Sequence, residues 1–278
     1  MIGFEEKVVP LDYWISQFVD MLVEGYRPFF QALKWPVEAI MGGMGQALLA
    51  IPPLLVVLAL AVLAWRTSGF KLAIFTVLSL IFIGLLGFWD ECMVTLAMVF
   101  AAVFFCVITG IPLGILAGRS DRFNGLLRPI LDAMQTTPAF VYLVPIVMLF
   151  SVGNVAGVLA TIIFALPPII RLTSLGIRQV HPELVEAALS FGATRWQVLR
   201  RVQLPLALPT IMAGLNQTMM MALSMVVIAA LIGAGGLGAP VVQGLNTLDI
   251  GQATTGGLCI VLLAIILDRI SQAAGQSQ

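Results

Sequence analysis

Residues 183–205 read Glu-Leu-Val-Glu-Ala-Ala-Leu-Ser-Phe-Gly-Ala-Thr-Arg-Trp-Gln-Val-Leu-Arg-Arg-Val-Gln-Leu-Pro, a polar island in a very apolar chain. The pattern predicts two short helices joined by a tight turn. Pro182 suits a first helical position, where no backbone donor is missed. Glu183 and Glu186 then sit near the positive end of that helix. Gly192 is its expected stop, because glycine takes the left-handed conformation at no steric cost. Thr194 followed by Gln197 has capping-box spacing for the second helix. Arg200 and Arg201 fall in its last turn, and Pro205 is expected to close it. His181, the lone histidine, reads as a plain capping residue ahead of the unit.

A unit of this kind has two uses. Ala188, Gly192 and Val198 also fit a DNA-binding helix-turn-helix, with Arg195, Arg200 and Arg201 for phosphates. The surrounding chain decides between them. Of its 278 residues, 60% are hydrophobic and 10% charged, against about a quarter charged in a soluble domain. Mean hydropathy is +1.05. The fold class that follows is all-α: a polytopic helical membrane protein. Formal net charge is zero, so no global field attracts nucleic acid. Cys92, Cys106 and Cys259 lie within or at the edge of apolar runs. They lack metal or disulfide spacing and read as small packing residues. Glu5 and Glu6 stand where a signal peptide would be basic, so none is expected.

Residues 12–34 are amphipathic. Ile15, Phe18, Val19, Leu22, Val23 and Tyr26 follow helical spacing along one face, and Pro28 should kink or end the helix. It is too polar to span and is expected in the interface or along the membrane domain. Apolar runs follow at about 47–65, 72–89, 93–117, 130–151, 154–171, 207–232 and 251–268, seven expected spans. The fourth is interrupted by Asp132, Gln135, Thr136, Thr137, Pro138 and Pro145. The chain thus divides into an external amphipathic segment, 1–46, and a transmembrane domain, 47–278, with a loop at 182–205.

The basic residues set the orientation. With the N-terminus outside and the C-terminus in the cytoplasm, the inner segments hold Arg66, Lys71, Arg119, Arg122, Arg128, Arg171, Arg178, Arg195, Arg200, Arg201 and Arg269. These are 11 of the 14 Lys and Arg. The outer side keeps Lys7, Arg27 and Lys34. Trp65 and Trp89 mark span ends, as interfacial anchors do. The 183–205 island is then cytoplasmic and tied to the bilayer at both ends, which sets the DNA-binding use aside. Its apolar stripe, Leu184, Ala187, Ala188 and Phe191, suits a groove on a partner protein.

The spacing Glu186-Ala187-Ala188, three residues, Gly192, nine residues, Val202, one residue, Leu204-Pro205 resembles the EAA loop of bacterial ABC importer permeases. The departure is Val202, where Ile is usual. The run Asp132–Pro145, the run Phe164–Arg171 and Asn216-Gln217-Thr218 are similar to the permease subunit of glycine betaine/proline betaine and choline importers. The resemblance covers residues 12–275. It implies an ABC importer permease fold and a homodimer in the bacterial inner membrane. It also implies two cytoplasmic ATPase subunits, which bind ATP and Mg, and an external substrate-binding protein. It makes the island the coupling helix, seated in a cleft of the ATPase, with Ala187 and Ala188 for close approach and Gly192 for the turn. Glu183, Glu186, Arg195, Leu204 and Pro205 complete the coupling set.

The residues themselves support a divided machine. A phosphate-binding loop GxxxxGK[ST] needs a Gly-Lys pair, and Lys7, Lys34 and Lys71 follow Glu6, Leu33 and Phe70. ATP hydrolysis, catalysis, a bound cofactor and a metal site are therefore not expected in this chain. Residues 233–238 fit GxGxxG but follow a span rather than a strand and face outside by topology. They read as a flexible or close-packed external loop, available to the binding protein. Residues 93–117, 138–170 and 207–248 contain no Asp, Glu, Lys, Arg or His. Ion-coupled transporters of small amines, the alternative class, place ionisable groups at mid-membrane.

A quaternary ammonium has no proton to donate, and aromatic faces suit it. Phe140 and Tyr142, beside Gln135, Thr136 and Thr137, are the candidates for the substrate path. Asn216, Gln217 and Met220, within the run 216–221, are the second set. The competing role for polar residues in spans is bonding between helices.

Overall fold

The structure, a computed structural model, describes residues 10–276, so Glu5, Glu6 and Lys7 lie outside it. Its helices in chain order are α1 (Leu11–Gly25), α2 (Arg27–Ala50), α3 (Pro53–Ser68), α4 (Phe70–Leu85), α5 (Trp89–Arg119), α6 (Asp121–Thr136) and α7 (Ala139–Phe150). Then come α8 (Asn154–Arg178), α9 (Pro182–Ser190), α10 (Arg195–Val198), a π-turn (Leu199–Gln203), α11 (Leu204–Ala230), α12 (Gly238–Thr247) and α13 (Ile250–Gln276). Among the described residues every regular element is a helix, as a lipid-embedded backbone that must satisfy its own polar groups requires.

Each of the seven apolar runs is helical, but their ends and continuity differ from expectation. Among the described residues four helices are long and apolar enough to cross a bilayer alone, and they correspond to α5, α8, α10–α11 and α13. The first run starts at Pro53, not residue 47, because Ile51-Pro52 breaks the chain and α2 meets α3 at 106°. The fourth run is not one helix. Pro138 stops α6, and α7 leaves at 98°. With 12 residues, α7 is about 18 Å long, short of the ~30 Å apolar slab of a bilayer. The carbonyls freed at this bend find donors. Thr136 Oγ1 bonds Asp132 O at 2.9 Å, Thr137 Oγ1 bonds Ala133 O at 2.7 Å, and the Tyr142 hydroxyl donates to Met134 O.

The core is built around α5, α8 and α11. Gly110, Gly114 and Gly118 recur every fourth residue along one face of α5. A Cβ there would come within 2.4 Å of Ile169, 2.5 Å of Thr173 and 2.9 Å of Ile177 on α8. Such small residues let helix backbones approach in lipid, where dispersion rather than water exclusion drives association. On the other side of α8, Gly176 on α8 and Gly214 on α11 do the same for the contact between these two helices. Cβ positions there lie 3.1 Å from Ala207 O and 3.0 Å from Leu172 Cβ. One apolar cluster joins these helices to α3, α4 and α13, and a second joins them to α2 and α7 through Val37, Met98, Leu143 and Phe150.

The outer faces of α3 and α4 leave Leu54, Leu58, Val62, Ile74, Leu78 and Leu85 exposed. That is a surface for hydrocarbon, beyond what a water-soluble monomer tolerates. At the N-terminus, α1 ends at Gly25 and Pro28 sits in the first turn of α2, as its ring requires. Ile15 and Phe18 on α1, and Tyr26 just after it, are all more than half exposed, so the chain's own core does not cover this apolar face. The three cysteines are free and buried, as packing residues should be.

Candidate functional site

The 182–205 island joins α8 to α11, the two helices of the core that pack most extensively. Pro182 stands in the first turn of α9, and His181 holds the N-cap position. His181 caps through its backbone only. Its carbonyl accepts from Leu184 N at 3.1 Å, and its side chain makes no cap bond, so the capping residue read from the sequence stands at the N-cap and acts through its main chain. Gly192 is left-handed, φ +81°. Ala193 N bonds Ala188 O at 3.1 Å and Gly192 N bonds Leu189 O at 2.9 Å, the paired bonds of a Schellman stop. Two residues later the capping box is complete. Gln197 N donates to Thr194 Oγ1 at 3.3 Å, and Thr194 N donates to Gln197 Oε1 at 2.8 Å. These local bonds hold α9 and α10 in one fixed relation.

Pro205 does not close the second helix. The chain widens into the π-turn, with Leu204 N bonded to Leu199 O, and continues unbroken into α11. In an α-helix the Pro205 ring would strike the carbonyl four residues back. One extra residue in the turn makes room for it, so Arg200 and Arg201 lie inside a continuous helix rather than at its end. Val198 and Leu199 are 3% and 2% exposed and root this turn in the core beside Ala207 and Ile211.

The hairpin's tip is bare. No residue of α9 is buried. Glu183, Glu186 and Ala187 are exposed and Ala188 half-buried. Leu184, Leu189, Phe191 and Trp196 are 46%, 44%, 93% and 65% exposed. Arg195 is exposed at the start of α10, Leu204 is half-buried and Pro205 exposed. A short, locally locked helix thus carries apolar side chains that this chain itself does not cover.

The second candidate set is divided by the fold. Gln135, Thr136 and Thr137 lie at the α6–α7 bend, with Thr136 and Thr137 spent on backbone carbonyls. Tyr142 turns its hydroxyl back to Ala133 and Met134 at the end of α6. Phe140, 59% exposed, points away from the core. Asn216 faces α13. Its Nδ2 donates to Asp268 Oδ1 at 3.2 Å, and its Oδ1 accepts from Ser271 Oγ. Met220 packs half-buried against the core, and Gln217 is exposed. No hydrogen bond links the α6–α7 group to the α11 group among the described residues.

Four polar ties escaped the sequence reading. Arg171 on α8 bonds Asp132 on α6 at 2.6 Å, and Arg178 bonds Asp121 at 2.6 Å. Nothing along the chain pairs Asp132 with Arg171, 39 residues away. The other two hold the Gly233–Gly238 loop close-packed. Gly235 N donates to Asn154 Oδ1 at 2.6 Å and Leu237 N to Thr95 Oγ1 at 2.8 Å. Ala234 and Leu237 are buried.

The family model described as binding-protein-dependent transport system inner membrane component matches residues 110–276. The chain is 56% identical over 273 residues to the glycine betaine/proline betaine transport system permease protein ProW of Escherichia coli (strain K12), covering 98% of this chain and 77% of that one. It is 45% identical over 264 residues to the glycine betaine transport system permease protein OpuAB of Bacillus subtilis (strain 168), covering 95% and 94%. A solved chain of the MetNI methionine ABC transporter, in an inward-facing conformation, shares the fold with a TM-score of 0.60. That match has 24% identity over 66% of this chain and 92% of that one.

Proposed function

The chain belongs to the family of binding-protein-dependent transport system inner membrane components, and from that premise we propose that it forms the translocation path of an ATP-driven importer for quaternary ammonium osmolytes. Glycine betaine, proline betaine or choline would be delivered by an external binding protein. Two copies of this chain line the path, and two cytoplasmic ATPase subunits carry ATP and Mg. The N-terminus lies outside and the C-terminus inside, in keeping with the placement of 11 of the 14 Lys and Arg.

The observation that carries this reading is the bare hairpin: a locked pair of short helices, rooted in the core at Val198 and Leu199, with no residue of α9 buried. Glu183, Glu186, Ala187, Ala188 and Gly192 seat it in the ATPase, with Arg195 on the rim and Leu204 and Pro205 leading into α11. When ATP draws the two ATPases together, each hairpin travels with its groove. Gly176 and Gly214 hold α8 and α11 in backbone contact, so both helices follow as a unit. The path then opens outward to the binding protein, and hydrolysis resets it. Phe140 and Tyr142 present aromatic faces that suit a cation without protons to donate. Gln135, Thr136, Thr137, Asn216, Gln217 and Met220 complete the proposed lining.

Reconstitution of this chain with its ATPase and binding protein in sealed vesicles tests the reading. Uptake of radiolabelled glycine betaine should require ATP and all three proteins. Glu186→Arg should insert normally and leave ATP hydrolysis running, yet lower uptake at least ~tenfold through a misplaced charge in the seat. Uptake without the ATPase, or normal uptake by Glu186→Arg, would refute it.

A further inference from the structure

A cleft of about 650 Å³ opens where the α3–α4 turn meets the end of α13. Ser68 Oγ donates to Arg269 O at 3.1 Å and ties its two walls together across 201 residues of chain. Lys71 stands in the first turn of α4, and Arg269 faces it from α13. Each cation has an apolar residue one helical turn deeper on the same wall. Phe75 follows Lys71 by four positions, and Ile265 precedes Arg269 by four. The cleft therefore has two layers about 6 Å apart along the helix axes: positive charge at the mouth, hydrocarbon below.

Both cations are exposed, and neither has an ion pair among the described residues. The nearest carboxylate in sequence, Asp268, is engaged elsewhere. It accepts from Asn216 Nδ2 on α11 at 3.2 Å and from Gln272 Nε2 at 2.7 and 2.8 Å. It does not line the cleft. Trp65, 59% exposed just before the turn, marks the depth at which amphipathic rings meet lipid headgroups.

We propose that this cleft holds an anionic phospholipid of the inner leaflet, its phosphate between Lys71 and Arg269 and one acyl chain along Leu72, Phe75 and Ile265. A zwitterionic lipid offers the same phosphate but adds a cation that Lys71 and Arg269 repel, so the site selects net negative headgroups. A free phosphate fills the mouth and leaves the apolar floor uncovered. Basic pockets between spans on the cytoplasmic side are the usual seats of such headgroups.

Native mass spectrometry of the full chain, purified in detergent and supplied with phosphatidylglycerol or phosphatidylcholine, tests this. Phosphatidylglycerol should be retained in preference. Lys71→Gln and Arg269→Gln should each weaken retention about fivefold, and together about thirtyfold. Lys71→Arg with Arg269→Lys should restore it. Arg66→Gln, which removes an exposed cation outside the cleft, should leave retention unchanged. Equal retention of the two lipids, an equal loss in Arg66→Gln, or displacement by millimolar inorganic phosphate would overturn the proposal. The first two outcomes would reveal unspecific attraction and the third a free-anion site. None of these readouts involves ATP or transport, so the test stands apart from the proposed function.

Discussion

Single glycines in this chain answer to different constraints, and one substitution separates them. Gly114→Ala places a Cβ 2.5 Å from Thr173 and 2.8 Å from Ile170 O. Backbone cannot yield cheaply, so α5 and α8 must part. Thermal unfolding in detergent should show a loss of at least ~1–3 kcal/mol. Gly192→Ala meets nothing within 4 Å and bears only the left-handed backbone, ~1–2 kcal/mol confined to the hairpin. Its melting curve should follow the parent's, because the hairpin tip adds nothing to the core. Tyr142 poses a similar question. Its hydroxyl serves the α6–α7 bend, while its ring is the part proposed to face substrate. Tyr142→Phe should lower stability by ~1 kcal/mol and keep glycine betaine uptake. Tyr142→Ala should lose uptake. Uptake retained by Tyr142→Ala would remove the ring from the path.

Among the elements, the π-turn is where a local rule yielded to a tertiary demand. Pro205 reads as a helix stop, yet the helix runs on, because the buried Val198 and Leu199 anchor one side and α11 the other. The extra residue sets the angle at which the hairpin leaves α11. Pro205→Ala removes the ring that favours the wide turn. If the turn relaxes to α-helix, α9 rotates by ~100° and shifts by ~1.5 Å about the α11 axis. The expected result is normal insertion and ATP hydrolysis, with fewer molecules taken up per ATP. An unchanged ratio of uptake to hydrolysis would show that the turn has no part in coupling. The ion pair Arg171–Asp132 belongs to this level too, but at 41% and 52% side-chain exposure it contributes no more than ~1 kcal/mol. The dense packing of α8 on α5 and α11 carries the framework.

For the molecule as a whole, the family match covers residues 110–276, leaving α1 to α4 and most of α5 ahead of it. These helices add a lipid-facing wall and one side of the cleft at Lys71. Orientation is open to direct measurement. Cys92, Cys106 and Cys259 are buried, so an added thiol reports against a silent background. Ala188→Cys should react with a membrane-impermeant maleimide in inverted vesicles and stay unlabelled in right-side-out ones. The reverse pattern would turn the topology over and detach the hairpin from any cytoplasmic partner.

Length, apolar runs and helix punctuation were open to reading along the chain, since each depends on residues within a turn or on bulk transfer into lipid. The left-handed Gly192 and the Thr194–Gln197 box both close through bonds spanning five residues or fewer. Pairings over greater distances were not. Asp132 with Arg171, Asn216 with Asp268, Thr95 with Leu237 and Ser68 with Arg269 are separated by 39, 52, 142 and 201 residues. Which faces meet is settled by how glycine-lined helices pack, and a side chain that bonds across helices looks, in one dimension, the same as one that lines a path. That is why the hairpin's outline is legible along the chain, while the partners of Asn216 on α13 emerge only from the packing of α11.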